Sequence, residues 1–298
     1  VIKTLIDEFR YPRLGPGQLW EHVSKHLALD GYPVLMGHEV VRVCHDGRRV
    51  TSVLLRDTQT GDQRQLDGDA FISTLPIREL VAGCEPAVPA HVLDAANQLS
   101  YRDFLTVALV INRAEVFPDN WIYIHDPRAV VGRIQNFKNW SPQMVPDPQT
   151  TCLGMEYFCF EGDGLWNSSD DELVALATRD LALLDLCAPS DVAWGVVVRQ
   201  PKAYPVYDDA YKAHVAVVRN FLREHLPNLH LVGPNGMHHY NNQDHSMMTA
   251  LLVARNLTAG TALYDPWKVN TDAEYHEEAR DEEPDTSGRL VPLRVPAA

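Results

Sequence analysis

Gly233-Pro-Asn-Gly-Met-His-His-Tyr-Asn-Asn-Gln-Asp-His-Ser-Met247 decides the fold expected of this chain. The run follows a short apolar segment at 229–232 that reads as a strand. It leads into a helix that opens at Asp244 or His245, continues to about Thr258 and is stopped by Gly260. Two glycines and several side-chain amides between a strand and a helix start let backbone N–H groups point at a ligand. A helix N-terminus also carries roughly half a positive charge, which favours an anionic group there. Asp244 acting as a plain N-cap, with asparagines satisfying a tight turn, accounts for the same residues without any ligand.

Working outward, residues 17–29 place Leu19, Trp20, Val23 and Leu27 at helical spacing, and Asp30-Gly31 ends the run. Extended runs at 34–36, 40–44 and 50–56, with turns at His45-Asp46-Gly47 and around Gly61, predict an antiparallel meander. Residues 70–76 form an apolar run closed by Pro76, the pattern of a buried strand. Runs of aromatic and β-branched residues at 104–111, 121–125, 130–137 and 152–160 predict a second, larger sheet. Ser168 or Ser169 caps a helix reaching about Leu186, with Asp170, Asp171 and Glu172 complementing its positive end, and another helix spans about 208–224. Beyond Pro266 the chain turns polar and acidic and is expected to leave the packed body.

The composition narrows the class of function. With 298 residues, 45% of them hydrophobic, the chain can bury a sizeable core. Its 26 basic and 40 acidic side chains give a net charge of −14, which repels a nucleic-acid backbone, so an anionic substrate needs a local arginine pocket. Cys44, Cys84, Cys152, Cys159 and Cys187 contain no Cys-x-x-Cys pair, and their odd number opposes a full disulfide framework, which points to the cytoplasm. No apolar stretch is long enough to span a bilayer, so no membrane association is expected.

Asn242-Gln-Asp-His-Ser-Met247, following Gly233 and Tyr240, resembles the flavin-containing amine oxidase superfamily, and within it the UDP-galactopyranose mutases. The resemblance continues in Phe9-Arg-Tyr-Pro12 with Gly15, Gly17 and Trp20, in Trp121-Ile-Tyr123, in Arg133 followed by Asn139-Trp-Ser-Pro142, and in Ala203-Tyr-Pro205, so it covers about residues 9–260. It implies a mixed α/β flavoprotein holding FAD, with a mixed substrate-domain sheet. Four segments are expected: 1–76 as the remainder of an FAD-binding domain, 77–205 as the substrate sheet, 206–265 as the return to the FAD-binding domain, and 266–298 as an acidic tail.

The residues that the resemblance places on the cofactor are Gly233, Asn242, Asp244, His245, Ser246, Met247 and Met248, with the last two supplying helix-end amides, and the backbone of Val40 at the adenine edge. On the substrate it places Arg13, shifted by one residue in its loop, together with Arg133, Tyr204 and Tyr240. Guanidinium groups offer forked donors to a pyrophosphate or carboxylate, and tyrosines combine a stacking ring with a hydroxyl donor. No metal is expected, since the spacing of His238, His239 and His245 matches no common helical zinc pattern. Glu156 and Asp163 are linked by no spacing rule as an acid–base pair.

Two features depart from the family. The sequence contains no Gly-x-Gly-x-x-Gly run, so the usual pyrophosphate cradle of the N-terminal βαβ unit is missing, and the chain reads as the C-terminal portion of a longer flavoprotein. Pro234 stands where the related motif carries an arginine. Three functions remain: an FAD-dependent oxidoreductase acting on a small molecule, a mutase acting on a nucleotide-sugar, and a flavin-free remnant that binds an anionic ligand.

Overall fold

The structure, a computed structural model, describes residues 10–270. Phe9 and the acidic segment 271–298 lie outside the described residues. The described residues form two compact units: Leu35–Tyr101 with residues 204–270, and residues 10–34 with Arg102–Ala203.

The chain first enters α1 (Gly17–Leu29) in the second unit. The helix forms where the periodicity predicts it, yet its stripe of Leu19, Trp20, Val23 and Leu27 remains 40–43% exposed. Residues 34–36 are not a strand, which corrects the expected meander. Pro33 removes a ladder donor there, and Gly37 turns the chain at φ +69.

The meander is instead β1 (His38–His45), β2 (Val50–Asp57) and β3 (Gln63–Asp67), antiparallel throughout. The third strand is exposed along its whole length, so its sequence carries no apolar alternation to announce it. β4 (Phe71–Ser73) falls inside the expected run, though Ile72 is 47% exposed. Then come α2 (Ile77–Ala82), β5 (Cys84–Glu85), parallel to β1, and α3 (Ala90–Asn97). Each of these two short helices follows a proline, Pro76 or Pro89, whose fixed φ suits a helix start.

In the second unit run β6 (Tyr101–Ile111), β7 (Trp121–Tyr123), β8 (Arg133–Asn136), the single turn α4 (Phe137–Trp140), β9 (Thr151–Cys159), α5 (Asp170–Leu183) and β10 (Val192–Pro205). The sheet order is β10-β6-β9-β8-β7. Along β6 every second side chain is buried; Leu105, Val107, Leu109 and Ile111 pack with Leu153, Met155 and Tyr157 of β9 and with Leu173, Ala177 and Leu181 of α5. Ser169 opens α5 with a capping box to Glu172. Asp180, 1% exposed on α5, accepts the Val130 and Val131 amides at 3.2 and 3.0 Å and the Tyr157 hydroxyl at 3.2 Å.

The chain returns to the first unit through α6 (Tyr211–His225), β11 (Leu229–Leu231), α7 (Gly233–Met237) and α8 (Gln243–Ala259). β11 pairs in parallel with β4. The core of this unit gathers Ile77, Leu80, Val92 and Ala96 from α2 and α3 with Val218 and Leu222 of α6. Asn228 acts as a staple: its side chain accepts the Val50 amide at 2.9 Å and donates to the Val50 and Asp69 carbonyls at 2.8 and 3.0 Å. Among the described residues, no helix is long and apolar enough to cross a membrane.

Candidate functional site

The stretch 233–247 is not a loop from strand to helix, as its glycines and amides suggest, because α7 occupies its first third. Gly233 leaves β11 at φ +72 and donates its amide to Thr249 Oγ1 at 3.1 Å, which ties the turn to α8. Pro234 lies in the first turn of α7, where a missing N–H breaks no helical bond. Gly236 allows α7 to lie on the end of β4: a Cβ there would stand 2.7 Å from the Ser73 carbonyl oxygen.

His238 ends α7 in the left-handed conformation, φ +47. It is 1% exposed, Nε2 lies 3.2 Å from the Val206 carbonyl, and the Tyr101 ring meets it edge-on at 4.9 Å. His239 Nε2 lies 3.0 Å from the Asn270 carbonyl, and the Asn270 side chain donates to the Tyr240 carbonyl at 2.9 Å. Tyr240 and Tyr204 stack on one another, centroids 5.9 Å apart, and the Tyr240 hydroxyl donates to Asn242 Oδ1 at 3.2 Å.

The helix opens one residue before the expected start, with Asn242 as N-cap. The Asn242 amide donates to His245 Nδ1 at 3.3 Å, and Ser246 Oγ donates to the Asn242 carbonyl at 2.9 Å. Asp244 is exposed and is not the cap. The amides of Gln243, Asp244 and His245 belong to the first turn, which has no intrahelical acceptors. Met247 and Met248, half-buried, lie beyond that turn, so their amides are engaged within the helix. Asn235 Oδ1, His238 Nδ1 and Asn241 Oδ1 are buried without a hydrogen-bond partner. Val40 is half-buried on β1 against the core.

Burial pushes the imidazole pKa of His230, His238 and His239 below the ordinary 6.5, only partly opposed at the last two by their carbonyl partners. The folded chain therefore holds these rings neutral while the unfolded chain protonates them. Stability is full above about pH 6.5 and falls as the pH drops toward the folded values, by at most about 1.4 kcal/mol per pH unit for the buried His238. Urea midpoints measured between about pH 7.5 and 5 should decline; a flat profile would contradict the burial of these rings.

In the second unit the strand register builds another group on the sheet face opposite α5. Thr106, Glu156, Arg133 and Tyr123 are register partners across β6, β9, β8 and β7, and Ala108, Gly154, Gln135 and Trp121 form the adjoining row. Arg133 Nε donates to Glu156 Oε2, and its guanidinium lies 5.8 Å from the Tyr123 ring centroid. Gln135 donates to Glu156 Oε1 at 3.0 Å and accepts the Trp140 indole N–H at 2.8 Å. Trp140 stacks between Trp121, at 5.3 Å, and Tyr11, at 4.9 Å. Arg13 is exposed, and its carbonyl accepts Ser141 Oγ at 2.7 Å, which brings its backbone beside this cluster.

Burial lowers the Arg133 pKa, but the hydrogen bond and charge of Glu156 outweigh it and leave it raised above the ordinary value. Arg133 is thus neutralised by an internal carboxylate, a partner the sequence does not reveal because the pairing depends on register. Arg133→Ala leaves the Glu156 carboxylate, 7% exposed, without its counter-charge, and should cost about 3 kcal/mol by urea unfolding. A loss below about 1 kcal/mol would show that the pair is dispensable. Among the described residues, no three His, Cys, Asp or Glu side chains gather as a metal site.

No family model matches the sequence, and no curated protein matches it. Solved structures do. A reduced UDP-galactopyranose mutase aligns over 85% of this chain and 53% of its own length, at 17% identity and a TM-score of 0.71. A protein from Exiguobacterium sp. 255-15 aligns over 75% of this chain and 49% of its own, at 17% identity and a TM-score of 0.57. An oxidoreductase from Methanosarcina mazei aligns over 74% and 49%, at 14% identity and a TM-score of 0.52. The chain spans about half the length of the structures it matches. At these identities the likeness is one of fold, and the mixed α/β fold expected from the sequence is the fold the chain has.

Proposed function

We propose that this chain is part of an FAD-dependent oxidoreductase acting on a small molecule. The observation that carries the reading is the set of buried polar atoms without partners beside α7 and the start of α8, on a chain that shares its fold with a mutase described as reduced and with an oxidoreductase. Bound FAD would supply a ring that accepts and returns a hydride.

The residues around α8 suit one end of that ring. The first-turn amides of Gln243 and Asp244 would meet its electron-rich carbonyl edge, where the helix end favours negative charge, while the His245 amide is held by the Asn242 side chain in the capping box. The buried oxygens of Asn235 and Asn241, which have no partner, would accept from its ring N–H. Gly233, Asn242 and Ser246 hold the turn and cap that aim these groups, and Met247 and Met248 follow them on α8. The stacked Tyr204 and Tyr240 offer aromatic faces and hydroxyls to a substrate. In the second unit the face around Arg133, Tyr123 and Trp121 offers rings for a planar group, and with Arg133 neutralised by Glu156 the exposed Arg13 would supply the charge for an anionic one.

Titration of FAD with the purified chain, followed by flavin fluorescence, tests this reading. Saturable quenching is expected, weakened about tenfold by Asn241→Leu through loss of one hydrogen bond to the ring. Absence of saturable quenching both by this chain and by the chain supplied with a glycine-rich phosphate-binding βαβ unit would refute the flavoprotein reading. The higher TM-score of the mutase favours a second reading, chemistry on a nucleotide-sugar without net oxidation. Affinity for UDP without substrate-dependent flavin reduction would select it.

A further inference from the structure

His238 closes α7 in the left-handed conformation, at a position that glycine usually takes and would hold without steric cost. The chain instead places a full imidazole there, walled by Tyr101, Tyr211 and Tyr207, whose ring centroids lie 4.9, 6.2 and 6.4 Å away. Its Nε2 faces the Val206 carbonyl, which can only accept, so Nε2 carries the proton. Burial keeps the ring neutral, so Nδ1 carries none. The single N–H of the ring is thus committed to the backbone of residue 206.

Val206 lies between two tyrosines of the first unit. Its own amide donates to the Ser100 carbonyl at 2.9 Å. One residue on, the Tyr207 ring stacks on Tyr211 with centroids 4.4 Å apart, and its hydroxyl accepts the Tyr240 amide. Two residues back, Tyr204 stacks on Tyr240. Residues 204–207 and 238–240 are therefore joined three times, by one ring stack and two hydrogen bonds. Of the four side chains that make these joints, only His238 is fully buried, where a hydrogen bond meets no competing water.

We propose that His238 is a positioning residue: its Nε2–H holds the Val206 carbonyl and thereby sets the facing pair Tyr204 and Tyr240. The clasp rests on these contacts alone; that the pair it sets meets a substrate rests on the flavoprotein reading. Without the bond, residues 204–207 draw away, the Tyr240 amide leaves the Tyr207 hydroxyl, and the ring stack opens.

The test omits flavin and substrate, so its failure is distinguishable from failure of the cofactor titration. In the unaltered chain, ring-nitrogen NMR should show His238 protonated at Nε2; protonation at Nδ1 would overturn the proposal. Hydrogen exchange is then followed at the Tyr240 amide, and proton contacts between the Tyr204 and Tyr240 rings by NMR. His238→Asn suits the left-handed backbone, but its amide ends short of the Nε2 position; His238→Gln suits the backbone less and places an N–H there. Asparagine should speed exchange about tenfold, the loss of one hydrogen bond, and remove the ring contacts, while glutamine retains both. A purely structural His238 would give the reverse order, since the backbone conformation alone would decide. Tyr207→Phe should speed the same amide about tenfold by itself, and combining it with His238→Asn should add nothing further. Equal exchange in the asparagine and glutamine variants, or additive effects in the double variant, would also overturn the proposal.

Discussion

Asp180→Ala is expected to destabilise the second unit by about 4 kcal/mol. The carboxylate is 1% exposed and takes donors from two successive amides, Val130 and Val131, and from the Tyr157 hydroxyl. Burying the charge is tolerable only because all three donors converge on it, and deleting it leaves three buried donors with nothing to meet. Burial first, and the Asp180 charge second, raise the Tyr157 pKa above its ordinary value, so the phenol stays a donor throughout the accessible pH range. Urea unfolding measures the loss. Asp180→Asn separates the two contributions: its carbonyl oxygen still accepts, so a near-native midpoint would credit the hydrogen bonds, and a loss equal to that of alanine would credit the charge. A loss under about 1 kcal/mol for alanine would mean that water replaces the carboxylate.

The second large effect is expected at Gly236. A methyl group there would stand 2.7 Å from the Ser73 carbonyl oxygen and 3.4 Å from Thr74 Cα, both backbone atoms that cannot rotate aside. Gly236→Ala must push α7 off the end of β4, at about 2 to 3 kcal/mol. Because α7 joins Gly233 to His238, the displacement should also loosen the Gly233 amide from Thr249 and speed its hydrogen exchange. Gly164→Ala is the matched control, since a Cβ there meets nothing within 4 Å. Equal behaviour of the two variants would show that the approach of α7 to β4 is not tight.

Much of the framework is readable from local signals. Ser169 and the acids that follow it announce α5, and Gly260, in the left-handed conformation at φ +65, closes α8 where its position predicts. The long apolar runs of β6 and β9 are likewise evident, because every second residue must enter one core. β3 escapes because it is polar and exposed, and β10 because Gly195 and Pro201 interrupt its apolar pattern. A Cβ at Gly195 would stand 2.7 Å from Leu109 Cδ2, so that side chain would have to shift to admit one.

The candidate sites divide along the same line. Gly233, Tyr240, Asn242, His245 and Ser246 are close in sequence, and the structure gathers them about one turn and helix start. Tyr204 joins Tyr240 across a distance in sequence. Gln135 shares a strand face with Arg133 by period-2 spacing and Trp140 follows in the next turn, but Glu156 and Trp121 reach them across strands by register, which no spacing along the chain encodes.

The staple between Asn228 and Val50 joins residues 178 apart in sequence. Between them lies the whole of the segment Arg102–Ala203, whose antiparallel strands and α5 pack with one another. Closing so long a loop has an entropic cost that only native pairing recovers, so contacts of this range are slow to form. A chain synthesised from its N-terminus can therefore assemble the inserted sheet while β4 still waits for β11, and the first unit becomes the last part of the molecule to acquire its native order.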